Sequence, residues 1–285
     1  MPDARIAALD VYPVKGCRGI GLTSARVTER GLRAESGAAG VLDREWMLVD
    51  ATGAFVTQRT RPRLALIEPG LVADALVLTA PGQPPLAVPL APAARSRREV
   101  TVWDSRIEAH DEGPAAARWF STFVGADLRL VRFDPEVRRP CNPHYTPGTG
   151  AHIAFADGYP ILVIGESSLT DLNARLAARG APPLPMNRFR PNLVLAGLEP
   201  YDEDHLDTIA ADGVTLRLVK PCTRCQVTTT DQETATVGTE PLATLGGYRN
   251  NPDVGGVVFG MNAVIVAGAG RALGVGASAD CSYRF

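Results

Sequence analysis

The 285-residue sequence predicts a mainly β protein (α+β), built as two barrel-like parts with a few helices. Three observations point there. Apolar runs are short and either alternate with polar residues or end at turn residues. The 28 glycines and 23 prolines are spread along the chain, as many turns require. Helical periodicity is clear in only two stretches. Apolar residues make up 45% of the chain, a normal globular share, and the length is enough to bury a sizeable core.

The elements follow in order. "IAALDVYPVKGCRG" is a strand that runs into a turn over 13–19. "REWMLVDATGAFVTQR" reads as a hairpin turning at "ATG". "LVADALVLTAPG", "PPLAVPL" and "REVTVWDSRIEAHD" supply further strands, so roughly the first 110 residues are mainly β. "GPAAARWFSTFVG" is a helix, with Pro114 near its start, Trp119, Phe120 and Phe123 on one side, and Gly125 as its cap. "ADLRLVRF" is a strand. "PEVRRPCNPHYTPGTGAH" is a linker or a loop over a site. "YPILVIG" is a buried strand, and "ESSLTDLNARLAARG" is a helix with apolar Leu169, Leu172 and Leu176 that ends at Gly180. From "RFRPNLVLAG" onward strands dominate, among them "GVTLRLVK", "CQVTTTD" and "GGVVFGMNAVIVAG". The Pro/Gly-rich stretch over 135–152 is the best candidate for a boundary between the two parts.

Composition excludes several functions. A net charge of −2 gives no nucleic-acid footprint, and the basic stretch 95–99, "RSRRE", reads as a solvated loop. No apolar run reaches the ~18 residues of a membrane span. The N-terminus lacks a signal-peptide core, so a cytoplasmic protein is expected. Five cysteines, an odd number in a long chain, do not suggest a disulfide framework. Any function of the cysteines then points to metal or redox chemistry.

"CTRC", holding Cys222 and Cys225, has several readings. With Cys141 and His144 of "CNPH" it could complete a four-ligand zinc site. A redox dithiol would need a helix after the first cysteine, and "QVTTTD" is strand-like instead. Two buried thiols packed as small hydrophobes is the plainest reading. Lys220 and Arg224 bring positive charge near both sulfurs, which favours a thiolate able to bind a soft metal. Lys15 and Arg190 stand at strand ends beside Gly or Pro, where binding residues collect; Arg44 opens a strand, and Asn192 follows the proline of "RPN". Ser168, with Asp171 three residues on, resembles a capping box. The same helix start could receive a phosphate. Taken singly, each of these basic residues reads first as surface charge, and spacing alone leaves an anion site as the second reading.

Five stretches occur in one order: "VYPVKGCRG", "DREWMLVDATGAFVTQRTRPRLALI", "FADGYPILVIGESSLTDLNARL", "RFRPNLVL" and "CTRCQVTTTDQETATVGTEPLATLGGYR". Together they resemble MOSC proteins with an N-terminal MOSC β-barrel domain, in kind the mitochondrial amidoxime-reducing components and their bacterial counterparts. The resemblance covers nearly the whole chain. It implies the MOSC fold, with an N-terminal MOSC β-barrel domain over 1–125, a MOSC domain over 126–285, and a molybdenum cofactor (Mo-molybdopterin) between these two β-rich parts. It implies that Cys225 ligates molybdenum beside the two dithiolene sulfurs and oxo groups, with Cys222 a neighbour. Lys15, Arg44 and Ser168 would hold the phosphate, Arg190 and Asn192 the pterin or phosphate side, and Asp231 would handle protons or face substrate. Gly16 and Gly165 depart from the family, which often has serine at both places.

The activity so implied is an oxidoreductase that reduces N-hydroxylated compounds: amidoximes, hydroxylamines and N-hydroxylated bases. No Cys-x4-Cys-x2-Cys pattern and no Rossmann glycine fingerprint are present, and the chain stops soon after the MOSC-like segment. Electrons are therefore expected from a separate donor, a ferredoxin or similar protein with its reductase. The alternatives are a sulfur carrier with a persulfide on Cys225, and a plain cofactor-binding module.

Overall fold

The computed structural model describes residues 4–36, 39–91 and 96–284. Short alternating runs give strands β1 (Arg5–Val11), β2 (Ile20–Leu22), β3 (Ser24–Thr28), β4 (Gly31–Ser36), β5 (Ala39–Leu42) and β6 (Trp46–Val49). After them come β7 (Glu68–Val72), β8 (Ala75–Ala80), β9 (Gln83–Pro89), β10 (Arg97–Val102), β11 (Ser105–Asp111), helix α1 (Pro114–Val124) and β12 (Arg129–Phe133). The remainder holds β13 (Arg139–Pro140), β14 (His152–Ile153), β15 (Ile161–Gly165), α2 (Glu166–Ala178), β16 (Leu193–Ala196), β17 (Leu206–Ala211) and β18 (Val214–Thr223). The one-turn α3 (Leu242–Leu245), β19 (Asn250–Asn251), β20 (Gly256–Ala267), β21 (Ala272–Gly274) and β22 (Asp280–Tyr283) complete it. The mainly β expectation holds. Among the described residues, no helix is long and apolar enough to cross a membrane.

The largest sheet runs β2-β1-β16-β15-β20-β18-β17-β22, with β19 paired to β20. Only β15 and β16 pair in parallel in it, and α2 makes the crossover that parallel strands need. Its core gathers Ile6, Val163, Leu195, Leu216 and Met261. A second core forms where α1 packs Phe120 and Phe123 against Trp46, Leu64 and Leu130. Pro114 opens α1 and Gly125 closes it in the left-handed conformation, φ +74°. Ladders cross the 125/126 division in both directions. β1 pairs with β16, β12 with β6, and β21 with β3.

Two local expectations fail. Of "RSRRE", Arg95 lies outside the described residues, and Arg97–Val102 is strand β10, paired residue by residue with β11. "CQVTTTD" is not a strand. β18 stops at Thr223, and Gln226–Thr229 form a 3₁₀ turn. Here the threonine hydroxyls bond locally: Thr228 Oγ1 donates to the Cys225 carbonyl and Thr229 Oγ1 to that of Gln226, both at 2.9 Å. Two carbonyls of the turn are then claimed by Arg188, from Nε to Thr228 and from Nη2 to Thr229, each at 3.0 Å.

Candidate functional site

The turn after β1, the β5–β6 connection, residues 156–159, the "RFRPN" segment and the end of β18 converge on a cavity of about 160 Å³. Lys15, Arg44, Arg190, Asn192 and Cys225 all line it, as does Cys222. Among the described residues, its wall carries five cations (Lys15, Arg44, Arg59, Arg190, Arg224) and one carboxylate, Asp157. The whole chain has a net charge of −2, so this concentration of positive charge is local.

Lys15 and Arg44 are set by the backbone around them. Lys15 donates its N–H to the Trp46 carbonyl, and its buried ammonium reaches the Phe155 carbonyl at 2.8 Å and Asp157 Oδ1 at 2.5 Å. Burial pulls the Lys15 pKa down, against the pull of Asp157 in the other direction. Arg44 sits at φ +50°, donates its N–H to the Tyr12 carbonyl and pairs its guanidinium with Asp43. Arg44 and Arg190 lie over the Tyr12 ring, at 4.4 and 4.3 Å from its centroid. Arg190 is only 8% exposed, and its guanidinium has no hydrogen-bond acceptor among the described residues. Burial pulls its pKa down, and Arg44 adds to that pull. Such a group is costly unless something anionic faces it.

Asn192 spends its side chain on the frame. Its Oδ1 accepts from the Leu162 N–H at 3.1 Å and from Arg44 at 3.2 Å, and its Nδ2 donates to the Asp10 carbonyl at 3.2 Å. It therefore aims Arg44. At the rim, Cys225 is exposed and opens the 3₁₀ turn, while Cys222 is half-buried. Arg224 donates to Cys222 Sγ at 2.9 Å and to the Phe189 carbonyl at 2.5 Å, and its Nε is buried without a partner. Lys220 stacks over Tyr145 at 4.8 Å instead of reaching the sulfurs.

Ser168 and Asp231 are not brought to the cavity. α2 begins at Glu166 with Gly165 as its cap, so Ser168 is the third helical residue and forms no capping box. Its hydroxyl donates to Glu203 Oε2 at 2.7 Å and accepts from the Tyr201 N–H at 2.8 Å. Glu203 also accepts the Gly165 N–H at 3.0 Å, so the chain's own carboxylate takes the helix start where a phosphate was expected. Asp231 Oδ1 accepts from the N–H groups of Glu233 and Thr234, and Oδ2 pairs with Arg188 at 3.2 Å. Desolvation raises its pKa, but those bonds prevail and hold it below the usual carboxylate value, as an anchor for its loop. The two glycine departures have local reasons. Gly16 has φ +88°, and a Cβ on Gly165 would lie 2.8 Å from Glu203 Oε2.

Neither zinc nor a buried thiol pair describes "CTRC". Among the described residues no group of three or more His, Cys, Asp or Glu is placed to hold a metal. Cys141 is buried, with its thiol pushed up to about 11 by that burial.

The sequence matches the model of the MOSC N-terminal β-barrel domain over residues 3–127 and that of the MOSC domain over 150–278. It is 36% identical over 252 residues to mitochondrial amidoxime-reducing component 1 of Homo sapiens, covering 86% of this chain and 72% of that protein. The chain belongs to the MOSC family. Mitochondrial amidoxime reducing component 2 of Rattus norvegicus is 34% identical over 246 residues, 84% of this MOSC chain and 70% of the relative. Among solved structures, YiiM from Geobacillus stearothermophilus overlaps 44% of this chain and 55% of its own, at 16% identity and a TM-score of 0.31.

The family implies a molybdenum cofactor, with an anionic phosphate and a metal that takes a thiolate. The MOSC chain's residues fit such a group. Among the described residues Arg190 has no acceptor and Arg224 Nε no partner, and Cys225 offers sulfur on the rim of the same cavity. Three further residues shape the site and were not singled out in the sequence. Arg188 holds the Cys225 turn, and Arg139 donates to the carbonyls of Ala154 and Ala156 at 3.0 and 2.5 Å, fixing the 156–159 wall. Asp157 supplies the single carboxylate. Arg188 shares the "RFRPN" signal with Arg190. The "DG" of "FADGYP" signals a turn, but nothing in sequence ties it to Lys15, 142 positions away.

Proposed function

We propose that this chain is a molybdenum-cofactor-dependent reductase of N-hydroxylated compounds, supplied with electrons by a separate donor protein and working in the cytoplasm. One observation carries the reading: among the described residues, five cations, one of them buried without an acceptor, surround a small cavity beside an exposed cysteine. The names of the relatives supply the substrate class, amidoximes. When bound, the cofactor supplies the two-electron chemistry that removes oxygen from nitrogen. The protein's part is binding and placement. Lys15, Arg44 and Arg190 hold the phosphate-bearing side, Asn192 aims Arg44, and Cys225 offers its sulfur to the metal. Arg188 holds the Cys225 turn in place, and Arg224 keeps Cys222 turned toward its own guanidinium.

The test is metal content and turnover of wild type, Cys225→Ala and Cys222→Ala, made in a host that synthesises the cofactor. Molybdenum near one per chain, lost only with Cys225, is the expected result. Equal loss from both variants, or zinc in place of molybdenum, overturns the assignment. The exposure of Cys225 also suits a persulfide carrier. One extra sulfur atom on Cys225 by mass spectrometry, with no molybdenum, would select that reading.

A further inference from the structure

Among the described residues, Asp157 is the one carboxylate on a wall of cations, and it is tied there from two sides. Its Oδ1 accepts from Lys15 Nζ at 2.5 Å and from Trp103 Nε1 at 2.9 Å. Its side chain is nevertheless 76% exposed. The backbone behind it is pinned by Arg139, through the carbonyls of Ala154 and Ala156. The carboxylate can therefore swing on its own bonds while the wall stays in place.

Trp103 is placed on Asp157 at a cost. It sits in the tight turn between Val102 and Ser105 of β10 and β11, at φ +51°, where a bulky side chain is rarely found. Asn or Gly would make this turn freely. Trp103 is 41% exposed, with Phe55 against its ring at 5.0 Å and Arg59 stacked on it at 4.6 Å. The other two tryptophans, Trp46 and Trp119, are buried.

Phosphate and Asp157 make the same demand on Lys15. We propose that Asp157 is a built-in counter-ion that a phosphate-bearing ligand must displace from Lys15, and that Trp103 latches it. Asp157 then sets how tightly the cavity takes anions. It neutralises Lys15 while no ligand anion is there, and it makes weak monoanions poor competitors for the site. This rests on the cavity being the phosphate-binding site proposed above.

The experiment is a calorimetric titration of the full chain, freed of cofactor, with inorganic phosphate, followed in parallel by tryptophan fluorescence. The variants are Asp157→Asn, Trp103→Phe and Lys15→Met. Asp157→Asn should bind phosphate at least about tenfold more tightly than wild type, since removing a like charge at contact distance is worth that much or more. Trp103→Phe should tighten binding by a smaller factor, and phosphate should change the emission of wild type but not of Trp103→Phe. Lys15→Met should weaken binding. If Lys15→Met weakens binding while Asp157→Asn binds no better than wild type, Asp157 is no counter-ion and the anion site stands. If phosphate does not bind, or binds equally to Lys15→Met, the anion site falls and this inference falls with it. Asp157→Asn is nearly isosteric and exposed; a circular-dichroism melt matching wild type confirms that it folds.

Discussion

The chain has a second cavity, and the two differ in charge as much as in size. The larger is about 720 Å³ and lies among β3–β5 and β10–β12. Its wall has four arginines, Arg30, Arg33, Arg97 and Arg132, against four carboxylates, Glu29, Glu45, Asp134 and Glu136. These mostly satisfy one another or the backbone, with the exception of Arg30 Nε, which is buried without a partner among the described residues. Arg97 meets Asp134 at 3.0 Å, Arg132 meets Glu45 at 2.6 Å, and Arg30 donates to the Pro135 carbonyl at 2.6 Å. The smaller cavity keeps five cations against one carboxylate. Uncompensated charge therefore marks the candidate site better than volume does. A paired wall has already found its partners, whereas an unpaired buried guanidinium has paid for its burial and still needs one.

The largest expected effect is on ligand affinity. Arg190→Met should weaken phosphate binding by about tenfold to a hundredfold, the worth of a charge-assisted bond. Arg33→Ala, in the larger cavity, should leave it unchanged. Equal losses by calorimetry would break the comparison. Next is Arg188→Ala, which strips buried carbonyls of the Cys225 turn of their donor and should cost about 2–4 kcal/mol in urea unfolding. It should also speed alkylation of Cys225. A smaller effect sharpens the contrast. In phosphate-free buffer Arg190→Met should raise Tm by about 2–4 °C, as expected for removing roughly 1 kcal/mol of uncompensated burial. Arg132→Met should lower Tm, because it leaves Glu45 half-buried without its partner.

The smallest effect concerns pH. Burial, and then Asp43, push the Asp10 carboxyl up to about 6, with Arg44 acting against them. The folded chain thus holds this proton more tightly than the unfolded chain, whose value is about 4. The stability contributed by protonated Asp10 is complete below about pH 4 and is lost as pH rises to about 6. Asp10→Asn should flatten that part of the urea-midpoint profile between pH 4 and 7. An unchanged profile would mean that Asp10 titrates normally.

Local physics determined what the sequence alone could show. Pro114 and Gly125 bound α1 because proline and a left-handed glycine act on their own neighbours. Alternation and turn residues marked strands such as β1, β12, β15 and β20 but not β2–β5, and the resemblance carried by the ordered motifs singled out Lys15, Arg44, Arg190, Asn192 and Cys225, which line one cavity. Ser168 and Asp231 show the limit. Both have residue types and positions suited to a site, but each is claimed by a group that only folding brings near, Glu203 in one case and Arg188 in the other. The threonines after Cys225 favour a strand in sequence, whereas their hydroxyls and Arg188 hold the segment as a 3₁₀ turn. Only the tertiary structure decided which charges stay unpaired. Pairing is a matter of distance in space, and Lys15 with Asp157, or Arg190 with no acceptor, has no counterpart in local spacing.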